Sequence, residues 1–379
     1  MKYRKFGRLI WSPSALGFGA MRLPVLDGDP GKIDEPQAIQ MIRYAIDHGV
    51  NYVDSAYGYH RGNSEIVVGK ALADGYREKV KLATKMPTWV VNSHEDMDRC
   101  LDEQLRKLQT GHIDFYLLHG LSKDRWNKVR DLNVCQWAEK AIGDGRIKHL
   151  GFSFHDSFDM FKEIIDSSDV WTFCQIQYNY MDSEIQAGTR GVRYAASKGL
   201  ALVIMEPIKG GWLAVPPPEV QAIWDKSPVK RSAAEWALQW VWDQPEVSVV
   251  LSGMSNMQQV VQNVESADRS GVCSLNQEEL KLISEAKAKY QSYGFIGCTG
   301  CRYCTQCPNG VAIPEVFAMY NEYFRKNESK EVAQKYKQMI AEENRASKCI
   351  RCGTCETLCP QHLPIRDLLN KAAGAFERT

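Results

Sequence analysis

Eight short apolar runs, rich in β-branched or aromatic residues, recur along the first three quarters of the chain with helical patterns between them. They are SALGFGAM (Ser14 to Met21), NYVDSA (Asn51 to Ala56), KVKLATKM (Lys79 to Met86) and IDFYLLHG (Ile113 to Gly120). HLGFSF (His149 to Phe154), TFCQIQYNY (Thr172 to Tyr180), LALVIMEP (Leu200 to Pro207) and VSVVLSGM (Val247 to Met254) follow. Such runs read as parallel strands buried on both faces. In EPQAIQMIRYAIDHG, the residues Ala38, Ile39, Ile42, Ala45 and Ile46 form one helical stripe, with Asp34 as N-cap and Gly49 as stop. SHEDMDRCLDEQLRKLQ opens at Ser93 with Asp96 three residues on, close to a capping box, and SAAEWALQWVWDQ repeats the stripe before Pro245. Strand and helix alternating eight times predict a closed (β/α)₈ TIM barrel, with a doubly wound sheet as the rival; the count of eight favours the barrel.

After about Ala288 the character changes. Two cysteine runs, CTGCRYCTQCP (Cys298 to Pro308) and CIRCGTCETLCP (Cys349 to Pro360), flank a polar helical stretch and hold eight of the twelve cysteines. The expected division is therefore a barrel over residues 1–288 and a small helical domain over 289–379, its core built largely around whatever the cysteines hold. Cys100, Cys135, Cys174 and Cys273 are scattered and read as inert thiols. A net charge of +1 gives no electrostatic case for nucleic acid or an anionic membrane. No apolar run approaches the roughly 18 residues of a membrane span, and the N-terminus lacks an apolar signal core, so a cytoplasmic setting is expected. In that reducing setting, clustered cysteines point to metal or redox chemistry before disulfides.

Catalytic residues of such barrels stand at the C-terminal ends of strands. Strand two ends in DSAYGYH, strand three in ATKMP and strand four in LLHG, so Asp54, Lys85 and His119 should converge on one mouth, with Tyr59 just beyond. Singly, Lys85 reads as a solvated strand end and His119 as a structural histidine; four ionisable groups at successive strand ends are harder to dismiss. Trp89 and Met21 suit an apolar pocket wall or plain packing.

At these residues the chain resembles the aldo-keto reductase family, whose pattern of Asp, Tyr five residues on, then Lys and His at the next two strand ends is matched by Asp54, Tyr59, Lys85 and His119. The resemblance covers roughly residues 1 to 285. It implies reduction of an aldehyde or ketone by hydride from NADP or NAD, with Tyr59 as proton donor. Lys85 would lower the tyrosine's pKa, Asp54 would hold Lys85, and His119 would orient the substrate oxygen, assist proton transfer, or both. Tyr57 is the rival donor, but its spacing from Asp54 does not match. The resemblance also implies Ser153 and Gln175 on the cofactor's carboxamide, Gly19 and Met21 beside the cofactor, and Pro207, Lys209, Gly211 and Leu213 along the pyrophosphate. Gly253, Ser255, Asn256, Gln259 and Asn263 would surround the adenosine end. Phe154 stands where the family usually has Asn, and Met205 where it often has Tyr. SGMSNMQQ offers no Lys or Arg for a 2′-phosphate, which predicts modest discrimination between the two cofactors.

The second cysteine run, C-x₂-C-x₂-C-x₃-C-P, has the bacterial ferredoxin spacing for a [4Fe–4S] cube; the first has one residue fewer before its fourth cysteine. Zinc is the competitor, but a tetrahedral ion favours separated pairs over four cysteines in ten residues. In the ferredoxin arrangement the fourth cysteine of each run serves the other cluster. The crossed reading assigns Cys298, Cys301, Cys304 and Cys359 to one cluster, and Cys349, Cys352, Cys355 and Cys307 to a second. A subgroup of aldo-keto reductases with a ferredoxin-like C-terminal domain is similar over the full chain. Two functions follow: a carbonyl reductase with an appended iron–sulfur domain and an external electron partner, or an electron-transfer or redox-sensing protein that uses the barrel as a scaffold.

Overall fold

The computed structural model describes residues 1–326 and 328–377. Eight parallel strands close into a barrel in sequence order, β1 pairing with β8. They are β1 (Leu16–Gly19), β2 (Tyr52–Asp54), β3 (Lys81–Met86), β4 (Ile113–Leu121), β5 (Ile147–Phe154), β6 (Trp171–Gln177), β7 (Ala201–Met205) and β8 (Val247–Gly253). Each coincides with one of the eight apolar runs, so the barrel, not the doubly wound sheet, is the fold.

The helices between strands are α1 (Glu35–Asp47), α2 (Ser64–Ala71), α3 (His94–Lys107), α4 (Lys123–Asp131), α5 (Val134–Gly143), α6 (Phe158–Asp166) and α7 (Gly188–Ser197). Asp34 caps α1 by accepting from the Gln37 N–H at 3.2 Å, and the chain turns out of that helix through Gly49 at φ +95°. Ser93 caps α3 through the Asp96 N–H, but no reciprocal box forms; the Asp96 carboxylate accepts instead from the Asn92 N–H and Arg99. Further along come α8 (Pro218–Trp224), α9 (Ala233–Trp242) and α10 (Met257–Asp268).

The N-terminal end of the barrel is plugged. Phe6, between β4 Phe115 (ring centroids 4.6 Å apart) and β6 Phe173 (5.8 Å), closes that end with Trp11 and Tyr52. These rings together with Leu117, Val203, Val249 and Leu251 form a dry core. Only the opposite mouth is left to hold a ligand.

The chain forms two compact units: Met1–Pro207 with Ala237–Leu275, which contains the whole barrel, and Ile208–Trp236 with the chain from Asn276 onward. The second unit contains α8, α11 (Gln277–Ser292), α12 (Ile313–Arg325), α13 (Lys330–Met339), α14 (Thr354–Thr357) and α15 (Ile365–Phe376). A full capping box starts α11, where Asn276 and Glu279 each accept from the other's N–H. Its core is more than a shell around cysteines. Val316, Phe317, Tyr336, Leu369 and Phe376 bury an apolar centre, Tyr336 stacking on Phe376 at 4.3 Å, and only Cys304 and Cys355 among the clustered thiols are fully buried in it. No helix among the described residues is long and apolar enough to cross a membrane.

Candidate active site and cysteine cavity

Asp54 ends β2, Lys85 stands one residue from the end of β3, and His119 two from the end of β4, so adjacent strands deliver all three to the open mouth. The Lys85 ammonium donates to Asp54 Oδ1 at 2.6 Å and to the Ser55 carbonyl at 2.7 Å, with both charged side chains buried. Tyr59 begins a short 3₁₀ turn after β2. Lys85 Nζ lies over its ring, 4.9 Å from the centroid, and His119 meets the ring edge-on at 5.9 Å. The four residues are thus one group. Tyr57 is engaged elsewhere: its hydroxyl donates to Glu103 at 3.0 Å and Lys107 covers its ring.

Burial pushes the Asp54 carboxyl up and the Lys85 ammonium down, each offset in part by the other's charge. Tyr59 departs from expectation. Burial, then the Asp54 charge, holds its hydroxyl well above the usual phenol range. The expected lowering by Lys85 does not prevail: that ammonium is bonded to Asp54 and Ser55, and burial of the hydroxyl dominates. His119 is driven well below the ordinary imidazole range by burial and by the charges of Lys85, Arg125 and His155. At neutral pH the site therefore presents a protonated tyrosine and a neutral histidine.

A second polar layer fixes Lys85 from behind. Glu65 on α2 accepts from Thr84 and from Gln104, both at 2.6 Å. Gln104 also donates to the Lys85 carbonyl at 3.0 Å and accepts from Tyr116 at 2.7 Å. Sequence reasoning missed this layer, as well as Arg22 and Glu206, whose charges act on Tyr59. No linear pattern marks these residues; only the fold assembles them.

The residues expected around a cofactor fall into three groups. Gly19 is the register partner of Asp54 on one side and of Gly253 on the other, with Met21 in the turn that follows. Ser153 and Gln175 are partners across β5 and β6; Ser153 Oγ accepts from the Gly120 N–H at 2.7 Å, while Gln175 Oε1 is buried without a hydrogen-bond partner. Such an orphaned acceptor suits an amide donor from a ligand. Phe154 points into the helical layer, 5.0 Å from Phe161, so nothing polar replaces the family's Asn there. At the start of α10 the expected adenosine contacts also serve the chain itself. Asn256 caps Gln259, the Gln259 amide oxygen accepts from the Ser255 N–H, and Asn263 donates to Ser252. Pro207 ends the first unit's long segment, whereas Lys209, Gly211 and Leu213 belong to the second unit. There Gly210 is packed against the cysteine loop; a Cβ on it would stand 2.3 Å from the Thr299 carbonyl oxygen.

In the second unit, Cys298, Cys301, Cys304 and Cys359 line one cavity of about 320 Å³, open solvent at its mouth included, with Ile313, Phe317, Leu363 and Ile365 as apolar wall. Three of these thiols come from the first run and one from the second. Burial, then Cys301, Cys298 and Cys359, pushes the Cys304 thiol up to about 12. Burial, then Glu356, Cys349 and Cys307, pushes Cys355 up to about 11, so the fourth cysteine of the first run is a neighbour of the second. Cys352 is exposed and contacts Thr354 at 3.6 Å. No disulfide joins any two of the cysteines among the described residues. Among the described residues no three His, Cys, Asp or Glu side chains are grouped as a single-ion site, while four thiols line the one cavity. A sulfur-rich, apolar-walled cradle of that kind fits an iron–sulfur cube.

Comparison with known proteins agrees with this geometry. The aldo/keto reductase family pattern matches residues 15–288, and a 4Fe-4S dicluster domain pattern matches residues 297–363. Probable aldo-keto reductase 1 of Glycine max is 25% identical over 317 residues, 74% of this chain and 88% of its own length. The holo form of aldo-keto reductase AKR11C1 from Bacillus halodurans superposes with a TM-score of 0.64 at 28% identity, covering 76% of this chain and 96% of that one. An aldo-keto reductase from Klebsiella pneumoniae, in complex with NADPH, shares the fold with a TM-score of 0.61 at 23% identity, over 75% of this chain and 94% of its own. With its closed barrel, its four grouped strand-end residues and its cysteine-lined C-terminal region, the chain belongs to the aldo/keto reductase family of oxidoreductases and carries a 4Fe-4S dicluster domain.

Proposed function

We propose that the barrel, residues 1–288, reduces an aldehyde or ketone to an alcohol with NADPH or NADH, and that residues 289–379 hold two [4Fe–4S] clusters. The observation that carries the first part is the buried Asp54–Lys85 pair beneath Tyr59, with His119 at its edge. A bound nicotinamide would supply the hydride; the chain must supply the proton and hold the carbonyl. Tyr59 is the donor, since its hydroxyl keeps its proton at neutral pH and Tyr57 is bonded to Glu103. Neutral His119 orients the carbonyl oxygen by hydrogen bonding and is not itself a charged acid, because burial and three neighbouring cations disfavour imidazolium. Lys85, held by Asp54 and Ser55, sets its positive charge 4.9 Å from the centre of the tyrosine ring. Ser153 and Gln175 are assigned to the carboxamide, Gly19 and Met21 beside the cofactor, Pro207 along the pyrophosphate, and Gly253, Ser255, Asn256, Gln259 and Asn263 to the adenosine side. Lys209, Gly211 and Leu213 are retained for the pyrophosphate.

For the clusters we keep the crossed ligation: Cys298, Cys301, Cys304 and Cys359 for one, Cys349, Cys352, Cys355 and Cys307 for the other. The cavity lined by the first set, and the proximity of Cys307 to Cys355, support it. An external ferredoxin-like partner would exchange electrons with them in a reducing cytoplasm. The test is oxidation of NADPH or NADH on adding a carbonyl compound, lost in Tyr59→Phe. A protein that binds neither cofactor would instead be an electron carrier on a retired barrel.

A further inference from the structure

One side of the barrel mouth carries a cation that the reaction itself does not require. Arg125 lies in the first turn of α4, just after the strand that supplies His119. Its guanidinium Nη1 donates to the Gly120 carbonyl at 3.0 Å, one residue past His119. The same guanidinium stands over the Trp89 ring, 5.4 Å from its centroid, and that indole meets the His119 ring at 5.2 Å. Lys128 reaches the Trp89 carbonyl at 3.3 Å, so the exposed indole is held from the backbone as well. Gly120 makes the approach possible: it has φ +64°, and a Cβ there would stand 2.7 Å from Arg125 Nη1. The charges facing His119 are Lys85, Arg125 and His155, all basic, whereas Asp54 is bonded to Lys85 and Glu206 acts on Tyr59. Arg125 thus adds a positive charge on the Trp89 side of His119.

Resting on the reductase reading above, we propose that Arg125, braced by Gly120 and Trp89, anchors a carboxylate carried by the substrate a few carbons from its carbonyl. The guanidinium fork is matched to a carboxylate, and an indole wall lets an intervening short chain pack without hydration. The natural substrate class is then a short aldehyde or ketone acid, and Arg125 sets specificity without touching the reacting atoms.

The test compares succinic semialdehyde with butanal, equal in chain length and different in the terminal charge. Charge-assisted hydrogen bonds of this type correspond to roughly 10- to 100-fold in kcat/KM. The ratio of kcat/KM for the two aldehydes should fall at least about fivefold in Arg125→Gln, chiefly through KM, and recover in part in Arg125→Lys. A smaller fall, or an equal loss for both aldehydes, overturns the proposal. Calorimetric binding of succinate, which has no aldehyde to reduce, reads the anchor separately. Binding at least about fivefold weaker in Arg125→Gln than in the unaltered chain supports the anchor, and equal binding sinks it. If succinate discriminates between the two proteins while neither aldehyde is reduced, the reductase reading fails and the anion site stands.

Discussion

Replacing Lys85 with Met should turn Asp54 from a paired carboxylate into a pH-dependent liability. The pair is buried, bonded at 2.6 Å, and Asp54 Oδ2 has no hydrogen-bond partner, so Lys85 is the main source of compensation for the carboxylate charge. Without that ammonium, burial is the dominant influence left on Asp54, and it favours the protonated acid. An Asp in the unfolded chain has a pKa of about 3.9. The folded pKa is raised above that value, so the native state binds more protons than the unfolded one, and stability falls as pH rises from about 4 toward the folded pKa. Each pH unit in that window costs about 1.4 kcal/mol. Removing one partner of a buried pair is expected to cost roughly 3–5 kcal/mol in all. The double variant Asp54→Asn/Lys85→Met has nothing to titrate and should lack the slope. Anaerobic urea unfolding of both variants at pH 5.5 and 7.5 measures the contrast; their stability difference should grow as pH rises between those points, by at most about 1.4 kcal/mol per unit. A difference that stays flat across that range would refute the reasoning, since it would mean that Asp54 keeps its charge by some other route.

Tyr59→Phe should reduce carbonyl turnover by roughly 10²–10⁴-fold with cofactor affinity nearly unchanged, whereas Tyr57→Phe, which loses only the Glu103 bond, should stay within about threefold; the opposite ranking would make Tyr57 the donor. With His119 held below its ordinary pKa of 6.5 and Tyr59 above 10, kcat/KM should be level between about pH 6.5 and 9. A bell with a limb near neutrality would show that one of them titrates there. Dissociation constants for NADPH and NADH should differ modestly, because Ser255, Asn256 and Gln259 are neutral and partly occupied in capping α10; a gap of several orders of magnitude would require a cation from elsewhere. Iron should approach about eight per chain, and Cys359→Ser should disturb the cluster of the first run rather than of the second. Electron paramagnetic resonance of the reduced protein reads which one changes.

The barrel was legible because its signal is repeated eight times and because buried parallel strands leave little but apolar residues to write. The tetrad was legible for a related reason. Strand ends are defined by the same runs, so Asp54, Lys85 and His119 fall into place once the strands do. What remained hidden is chemistry made by contacts between distant segments. Glu65, Thr84, Gln104 and Tyr116 meet only when α2, α3, β3 and β4 pack. The direction of the Tyr59 shift was misjudged for the same reason. Spacing shows that a lysine is near, but not that its hydrogen bonds go to Asp54 and Ser55, nor that burial of the tyrosine hydroxyl dominates. Asp96 illustrates the smaller scale, where a box-like spacing yields a one-way cap because the carboxylate finds Asn92 and Arg99 instead.

The two chemistries of the chain differ in how they count electrons, and this limits how they can be coupled. A nicotinamide passes two electrons and a proton together as hydride, while a [4Fe–4S] cluster ordinarily takes one at a time. Transfer from one to the other therefore needs either a carrier that accepts a pair and releases single electrons, or a radical form of the cofactor. The tetrad stabilises neither: a protonated Tyr59 and a neutral His119 serve closed-shell hydride and proton transfer. The cysteine unit, in turn, has an apolar core of its own in α12, α13 and α15, so cluster assembly is not the sole source of its cohesion. A purely structural role thus explains less of the eight cysteines than an electron-exchanging one does. Exposure of Cys352, one of the proposed ligands, would also leave its cluster within reach of an external one-electron partner. The proposed hydride transfer in the barrel and the proposed one-electron exchange at the clusters can therefore run without passing electrons to each other.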